Sequence, residues 1–530
     1  MDIKSTLSIY KSLDQNDIIK LSTQFIILVS FLTGIGTLYK KPDIPQFLLT
    51  FIYDYSENTQ FFEGWKKPVD SYTHANFYFH NLTNYHEFNK GEAAIFDTVG
   101  PVKFKLDIER HDLSTHKNFK MESILKFRNK VFYKLVSGGE LLDKTIIHPN
   151  IPLISYLDKM ETESYVTKSI MRGILKAVNK RQKKKPERRK KSDLTDIFLN
   201  NKIHDIIFGM DHQLLEISQW TCTSENPEID CLSKWGIMVG ANKNGSYRSF
   251  QSINTGSETF RRVHEVVEYE DSKCWRKENG KNHGLNFDAD YKGRDKYGRD
   301  VFTMDGFLTN PINLQDRIRV FREDIKDTVY YEKTGWVKHK HSEADLIKYD
   351  MMDLSNPREK LPNAPDIRHF PNMLDIRNCQ VPVAPNPVWA SQPYFFQNDV
   401  VNSYIFPENK IELNNENHGS YIKILPELGM TVESAMRMQV NFEINLPNYY
   451  LESTKNIAKG KYIFPFIHTE IIMDVTDLQG RSLDEVQMGL QLMPKLVTIL
   501  LMLPMGILGS WFLMKQIQNR FYKLVPNAEK

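Results

Sequence analysis

Ten basic side chains fall within sixteen residues: Lys176, Lys180, Arg181, Lys183, Lys184, Lys185, Arg188, Arg189, Lys190 and Lys191, with Glu187 the one acid among them. That run carries a net +9, whereas the whole 530-residue chain carries +3, so the remainder sums to −6. The basicity is therefore one local patch on a mildly acidic body. Its chemistry is attraction for anions, felt over roughly 8 Å at physiological salt, which concentrates anionic partners without reading fine shape. The other chemically capable groups are weaker. His339 and His341 flank Lys340 in a charged stretch that reads as a solvated face rather than a pair of metal ligands. Asp288, Asp290, Gly293 and Asp295 imitate part of a calcium loop, but Lys292 takes a ligand position and Arg299 stands where the closing Glu belongs. Gly-x-Ser-x-Gly, His-Glu-x-x-His and phosphate-binding glycine loops are missing. The sequence offers no catalytic set, no metal site and no cofactor motif, and it reads as a binding protein rather than an enzyme.

What positions the basic patch is set by the ends of the chain. Residues 21–39 and 496–514 are two uncharged apolar stretches of nineteen residues, bounded by Lys20 and Lys40-Lys41, and by Lys495 and Lys515. At about 1.5 Å per residue each helix would cover the roughly 30 Å hydrocarbon core, so two transmembrane helices are expected. A cleaved signal peptide is the alternative for the first. Two spans place residues 1–20 and 515–530 on one side as cytosolic tails, and residues 40–495 on the other. The loop carries the acceptors Asn81-Leu82-Thr83 and Asn244-Gly245-Ser246, and all four cysteines, Cys222, Cys231, Cys274 and Cys379. Glycosylation at Asn81 and Asn244 and disulfides both fit an exoplasmic domain. This topology excludes nucleic acid as the partner of the basic run. It leaves lipid particles, acidic proteins or sulfated glycans, a solvated loop, or a protease-sensitive dibasic site. On the C-terminal tail, Tyr522-Lys523-Leu524-Val525 has the form of a sorting signal read by endocytic adaptors, Tyr522 and Val525 being its two anchors; an interfacial aromatic anchor is the alternative.

With 12% aromatic residues the loop reads as a folded body, not a stalk. Alternation predicts strands over Ala75–Phe79, Val102–Ile108 and Val440–Leu446. Val166, Ile170, Ile174 and Val178 recur every four residues and predict a helix over Tyr165–Val178, with a helical pattern resuming over Leu194–Leu215. The basic run is then a loop or helix extension between two helices.

Several stretches, in order along nearly the whole chain, resemble the class B scavenger receptors. In Tyr421–Pro447 the family's spacing is carried by Tyr421, Pro426, Gly429, Arg437, Gln439 and Asn441. Asn372–Cys379 is similar to a family segment that leads to Ser391-Gln392-Pro393-Tyr394-Phe395. Further matches are Trp65, Phe77–Asn81, Gly91 and Gly100-Pro101, and the stretch Trp235–Thr255. The chain also departs from the pattern: Tyr394 stands where histidine is usual, Thr98 where an acid commonly precedes Gly-Pro, and His468 where tryptophan is frequent. The resemblance implies an α+β fold, in which a large exoplasmic domain has an antiparallel β-barrel core and an apical helical bundle over 165–215. The basic insert 176–191 would lie at its tip. By their positions in the family, Cys274 and Cys379 are each left without their usual partner, which implies Cys274–Cys379 and Cys222–Cys231 pairing. The implied function is a scavenger-type receptor for lipids or lipoprotein particles, with apolar lipids passing through a tunnel to the membrane. The alternative is a lysosomal membrane protein that carries an acid hydrolase or exports lipid. Location at the plasma membrane or the lysosomal and endosomal membrane follows, with both termini cytosolic.

Overall fold

The structure is a computed structural model. It describes residues 55, 60–66, 72–117, 121–162, 164–183, 196–212, 214–216, 234–239, 242–257, 262–269, 276–278, 281–283, 285–286, 303–304, 308–311, 314–322, 327–340, 342–351, 373–376, 388–398, 412–445 and 461–474, with scattered helical positions between 484 and 515. The chain divides into a body, residues 52–478, and a second unit made of residues 1–51 and 479–530. Among the described residues no helix is long and apolar enough to cross a membrane. The apolar segment 21–39 lies outside them, as does most of 496–514.

The body is mostly antiparallel β. After helix α1 (Gln60–Lys66) come β1 (Tyr72–Leu82), the short helix α2 (Tyr85–Phe88), β2 (Phe96–Lys117), β3 (Ser123–Ser137) and β4 (Thr145–Pro149). Helices α3 (Ile151–Thr162) and α4 (Tyr165–Lys183) follow, then β5 (Phe198–Lys202) and α5 (Ile203–Phe208). Besides two small antiparallel pairs (Met210–Asp211 with Lys234–Trp235, and Arg276–Glu278 with Lys281–His283), the remaining strands are β6 (Ser246–Asn254), β7 (Val266–Tyr269), β8 (Leu285–Asn286), β9 (Thr303–Met304), β10 (Arg317–Arg322), β11 (Asp327–Lys338), β12 (Asp345–Met351), β13 (Met373–Asp375), β14 (Val388–Ser391), β15 (Tyr421–Leu425), β16 (Met430–Asn445) and β17 (Lys461–Asp474). Fifteen of them form one sheet in the order β8-β7-β6-β3-β2-β1-β17-β16-β15-β12-β11-β10-β9, with β14 pairing both β13 and β16.

Alternation gives this sheet one apolar face. In β2, Val102, Phe104 and Leu106 are buried while Lys103, Lys105 and Asp107 point the other way. Successive side chains of a strand face opposite sides, so one face of each strand is apolar. Apolar residues from both halves of the strand order meet in a single core, from Phe77, Phe104 and Val131 to Ile318, Tyr331, Tyr349 and Phe442. A sheet whose two ends share one core is a nearly closed barrel, which leaves few exposed edges.

A second core seals one end of the barrel. There Leu82 at the end of β1, Phe96 at the start of β2, Ile444 and Phe464 meet Leu153, Ile154 and Leu157 of α3 and Met171 of α4. At the opposite end Tyr72 pairs with Asp474, so the chain enters and leaves the barrel on adjacent strands. A third, smaller core packs Phe62 and Trp65 of α1 on Leu125 and Phe127 of β3. Arg110 lies 4.5 Å from the Trp65 ring centroid and donates to the Trp65 carbonyl.

The strands expected around Ala75–Phe79, Val102–Ile108 and Val440–Leu446 lie in β1, β2 and β16, the last ending at Asn445. The helix expected from Tyr165 is α4, and it runs on to Lys183. The helical reading of Leu194–Leu215 is corrected. Phe198–Lys202 pairs residue by residue with Thr145–Pro149, and helix is confined to Ile203–Phe208 and residues 214–216. Asn200 and Asn201 lower helix propensity there, and an unpaired β4 edge fifty residues upstream supplies the stronger partner.

Candidate functional site

Helix α4 is anchored by part of its length only. Met171 is 7% exposed, Ile174 and Leu175 pack against the end core, and the Tyr156 hydroxyl of α3 donates to the Met171 carbonyl at 3.2 Å. The apolar residues at its start point outward: Tyr165, Val166 and Ile170 are 80%, 68% and 60% exposed. Arg172 and Lys176 are exposed on the same helix. Lys180, Arg181 and Lys183 belong to its last turns. Lys184, Lys185, Arg188, Arg189, Lys190 and Lys191 lie outside the described residues. Among the described side chains, α4 thus presents Tyr165, Val166 and Ile170 at its start and Arg172 and Lys176 beyond them.

The second constellation sits on the outer face of the barrel wall, and the residues of the 421–441 pattern build it. Tyr421, Pro426 and Gly429 shape the β15–β16 hairpin. Gly429 has φ +64, and a Cβ there would lie 1.8 Å from the Thr309 carbonyl oxygen. Only glycine permits both that conformation and that approach. Arg437, Gln439 and Asn441 follow at every second residue of β16, so all three face outward, and all are buried. Arg437 Nε donates to Glu470 at 2.8 Å. Gln439 Oε1 accepts the Tyr394 backbone N–H at 2.8 Å, and its Nε2 donates to Asn441 Oδ1 at 2.7 Å. Asn441 Nδ2 donates to Ser391 Oγ at 2.9 Å and to the Trp389 carbonyl at 3.2 Å. This ladder pins residues 391–398 across the wall. Tyr394, Phe395 and Gln397 there have φ of 54°, 55° and 66°, a region costly for non-glycine residues, so the strap depends on such anchors.

The three departures from the family pattern meet here, Tyr394 in the strap and Thr98 and His468 beneath it. His80 Nδ1 is 3.2 Å from Thr98 Oγ1, and His80 Nε2 is 3.4 Å from His468 Nδ1. Tyr394 packs on both rings, at 5.8 Å from His80 and 5.1 Å from His468. Tyr78 stacks on His468 at 4.3 Å. Burial pushes His80 down to about 3 and His468 well below the usual imidazole range. The sequence marked Thr98, Tyr394 and His468 singly; their meeting around His80 depends on three strands and a turn.

His339 is buried, not part of a solvated face. Its Nε2 lies 3.2 Å from Asp474. With Glu433 these residues form the one described group of three that could hold a metal ion. Lys423 already matches Glu433 at 2.8 Å, and Lys340 pairs with Asp474, so the cluster balances its charge without a cation.

Asn244 lies exposed in a turn before β6, its Oδ1 accepting the Tyr133 N–H at 2.8 Å. Asn81 is half-buried in β1, with its Oδ1 accepting the Ile147 N–H at 2.8 Å. Cys222, Cys231, Cys274 and Cys379, the calcium-loop-like stretch 288–299, and Tyr522 and Val525 lie outside the described residues.

The model of the CD36 family matches residues 25–516. Lysosome membrane protein 2 of Rattus norvegicus is 21% identical over 423 residues, 78% of each chain. Its counterpart from Homo sapiens is 22% identical over 403 residues, 74% of each. Sensory neuron membrane protein 2 of Manduca sexta is 23% identical over 444 residues, 77% of this chain and 76% of that one. With the family model covering nearly the whole chain, this protein belongs to the CD36 family, the class B scavenger receptors.

Proposed function

We propose that this membrane protein is a scavenger-type receptor that captures anionic, lipid-bearing particles on the α3–α4 helices and passes apolar lipid into the barrel. The observation that carries the reading is the surface of α4, where Tyr165, Val166 and Ile170 stand exposed beside Arg172 and Lys176, ahead of the basic run. Exposed apolar side chains on a basic helix fit a particle with an anionic, partly apolar surface. Two further features support it. The helices cap the end of the barrel opposite the Tyr72–Asp474 pair, where the chain enters and leaves. The barrel interior is apolar, and lipid leaving water is favoured there.

The test uses full-length protein in cells, given labelled anionic liposomes carrying a fluorescent apolar lipid. Neutralising Lys183, Lys184, Lys185, Arg188, Arg189, Lys190 and Lys191 together should weaken capture and flatten its salt dependence. Adding Val166→Ser and Ile170→Ser should weaken it further. Apolar-lipid uptake should survive loss of the charges better than capture does. Unchanged capture in the combined variant overturns the reading.

A second reading, a lysosomal protein acting in hydrolase transport or lipid export, is favoured by the kinship with lysosome membrane protein 2 and by the tail motif at Tyr522 and Val525. The residence of a tagged copy decides between them. Unchanged distribution of Tyr522→Ala removes the tail motif from the case.

A further inference from the structure

The outer wall of the barrel carries another cationic surface, built by β3 and its neighbours and unrelated to the basic run. Side chains of Lys126, Arg128 and Lys130 share one face of β3, each about 6.7 Å from the next along the strand. Each is held against an aromatic ring. Lys126 Nζ lies 4.8 Å from the Phe250 centroid, and the Arg128 guanidinium carbon 4.0 Å from Tyr247. Lys130 Nζ lies 5.1 Å from Tyr247 and 5.3 Å from Phe132. Lys134 continues the row on the same face and is exposed.

Cations outnumber acids along this row. Asp112 pairs with Arg128 and Asp107 lies 3.4 Å from Lys105. Glu109 stands opposite Lys130 across the β2–β3 pair and lies 3.1 Å from His111, but among the described residues Lys130 and Lys134 have no carboxylate within ion-pair distance. The aromatic contacts limit the rotamer freedom of the cations before any ligand arrives, which lowers the ordering cost of binding. Ammonium groups resting on rings still present N–H donors to solvent.

From this geometry we infer that the β2–β3–β6 wall is a docking surface for a linear sulfated glycan, separate from the α3–α4 end. The cations form a line along one strand, which matches a chain of regularly spaced anions. A bilayer would offer its anions as a plane, and this row follows the side of the barrel rather than either end.

The test is heparin-column elution and salt-dependent binding of full-length protein in detergent. The triple variant K126Q/K130Q/K134Q is compared with R188Q/R189Q/K190Q/K191Q and with the parent, after matching thermal melts confirm folding. Losing three contacts should release fewer counterions, so the slope of log affinity against log salt should fall by about 2 to 3. Affinity should drop at least fivefold, and the effect should add to that of the basic-run variant. If the triple variant binds heparin as the parent does, the proposal is overturned, whatever the basic-run variant shows. If it instead loses only phosphatidylserine-vesicle binding and keeps heparin, the surface reads lipid and the glycan assignment is overturned. Capture through α4 is tested by a different variant, so the two can fail independently.

Discussion

His80 Nε2 faces His468 Nδ1 at 3.4 Å, with both rings buried beneath Tyr394. Two neutral imidazoles tolerate this distance, but a proton on either would put a charge in a dry site. His80 titrates near 3 when folded and near 6.5 when unfolded. Between those values the unfolded chain takes up a proton that the folded one refuses. Stability from this residue is therefore complete above pH 6.5 and falls as pH drops, by about 1.4 kcal/mol per pH unit. His148 and His212, held near 4, and His264, held near 3, act in the same direction. The melting temperature should decline steadily between pH 6.5 and 4.5, and His80→Gln should make that decline shallower. A parent protein whose melting temperature is flat across this range would contradict the account.

Thr98, Tyr394 and His468 should behave as one exchange rather than three. Thr98→Asp alone puts a carboxylate beside His80, and Tyr394→His alone removes the ring that packs on both imidazoles. His468→Trp alone must fit a larger ring between Tyr78 and Tyr394. Each single variant should lose about 1 to 3 kcal/mol by charge burial or overpacking. The triple variant restores the family's more usual set and should lose less than the sum, since contacting residues couple. Denaturant titration of the three single variants and the triple measures this, and strict additivity would show three unrelated changes.

Much of the barrel was legible because one-sided burial imposes a period of two on β1, β2 and β16. Residues 198–202 were not, because their strand exists only through pairing with β4, and a local reading cannot see a partner fifty residues away. His339 was hidden by its neighbours. Lys338 and Lys340 have side chains 55% exposed, so the stretch reads as solvated, yet just past the end of β11 the residue between them is buried against Asp474. At the functional surfaces, sequence located the helix α4 from Val166 and Ile170 but not their exposure. That depends on how little of α4 reaches the end core. The ladder of Arg437, Gln439 and Asn441 could be recognised by pattern, whereas the strap that it pins could not.

Gly429→Ala should be among the more damaging single-methyl additions in the body. The new Cβ would meet the Thr309 carbonyl oxygen and enforce a left-handed backbone on alanine. It would also part the Thr309 N–H from the Gly429 carbonyl, now 2.8 Å apart. The conformational cost and the lost bond together come to roughly 3 kcal/mol. Gly335 is a useful control, because a Cβ there meets nothing within 4 Å. Chemical denaturation should show a large loss for the first variant and little for the second.

Asn244 and Asn81 should differ as glycan acceptors. Asn244 is exposed in a turn and its amide bonds only to the backbone of Tyr133, so one N–H remains when a sugar is attached. Asn81 sits within β1, half-buried, its side chain engaged with Ile147 beneath α3. Full occupancy is expected at Asn244 and lower occupancy at Asn81. Glycosidase-sensitive mass should therefore drop by one whole glycan in Asn244→Gln and by less in Asn81→Gln.

The Arg437–Glu470 pair gives the strongest handle on the outer wall. Arg437 is 7% exposed, and besides Glu470 its guanidinium donates to the Gly419 carbonyl. Glu470 also accepts from the Tyr78 hydroxyl at 3.1 Å and from Asn76 at 3.3 Å, so one carboxylate joins β1, β16 and β17. Glu470→Ala leaves a buried guanidinium without its counter-charge and should cost on the order of 3 to 5 kcal/mol. Replacing both residues, Arg437→Met with Glu470→Leu, removes charge and counter-charge together and should cost less than the single change. Double-mutant analysis by denaturant titration measures the difference. If the double variant is the less stable of the two, the pair is the chief anchor of the three strands; if it is the more stable, the pair serves to fix register, and packing holds the wall.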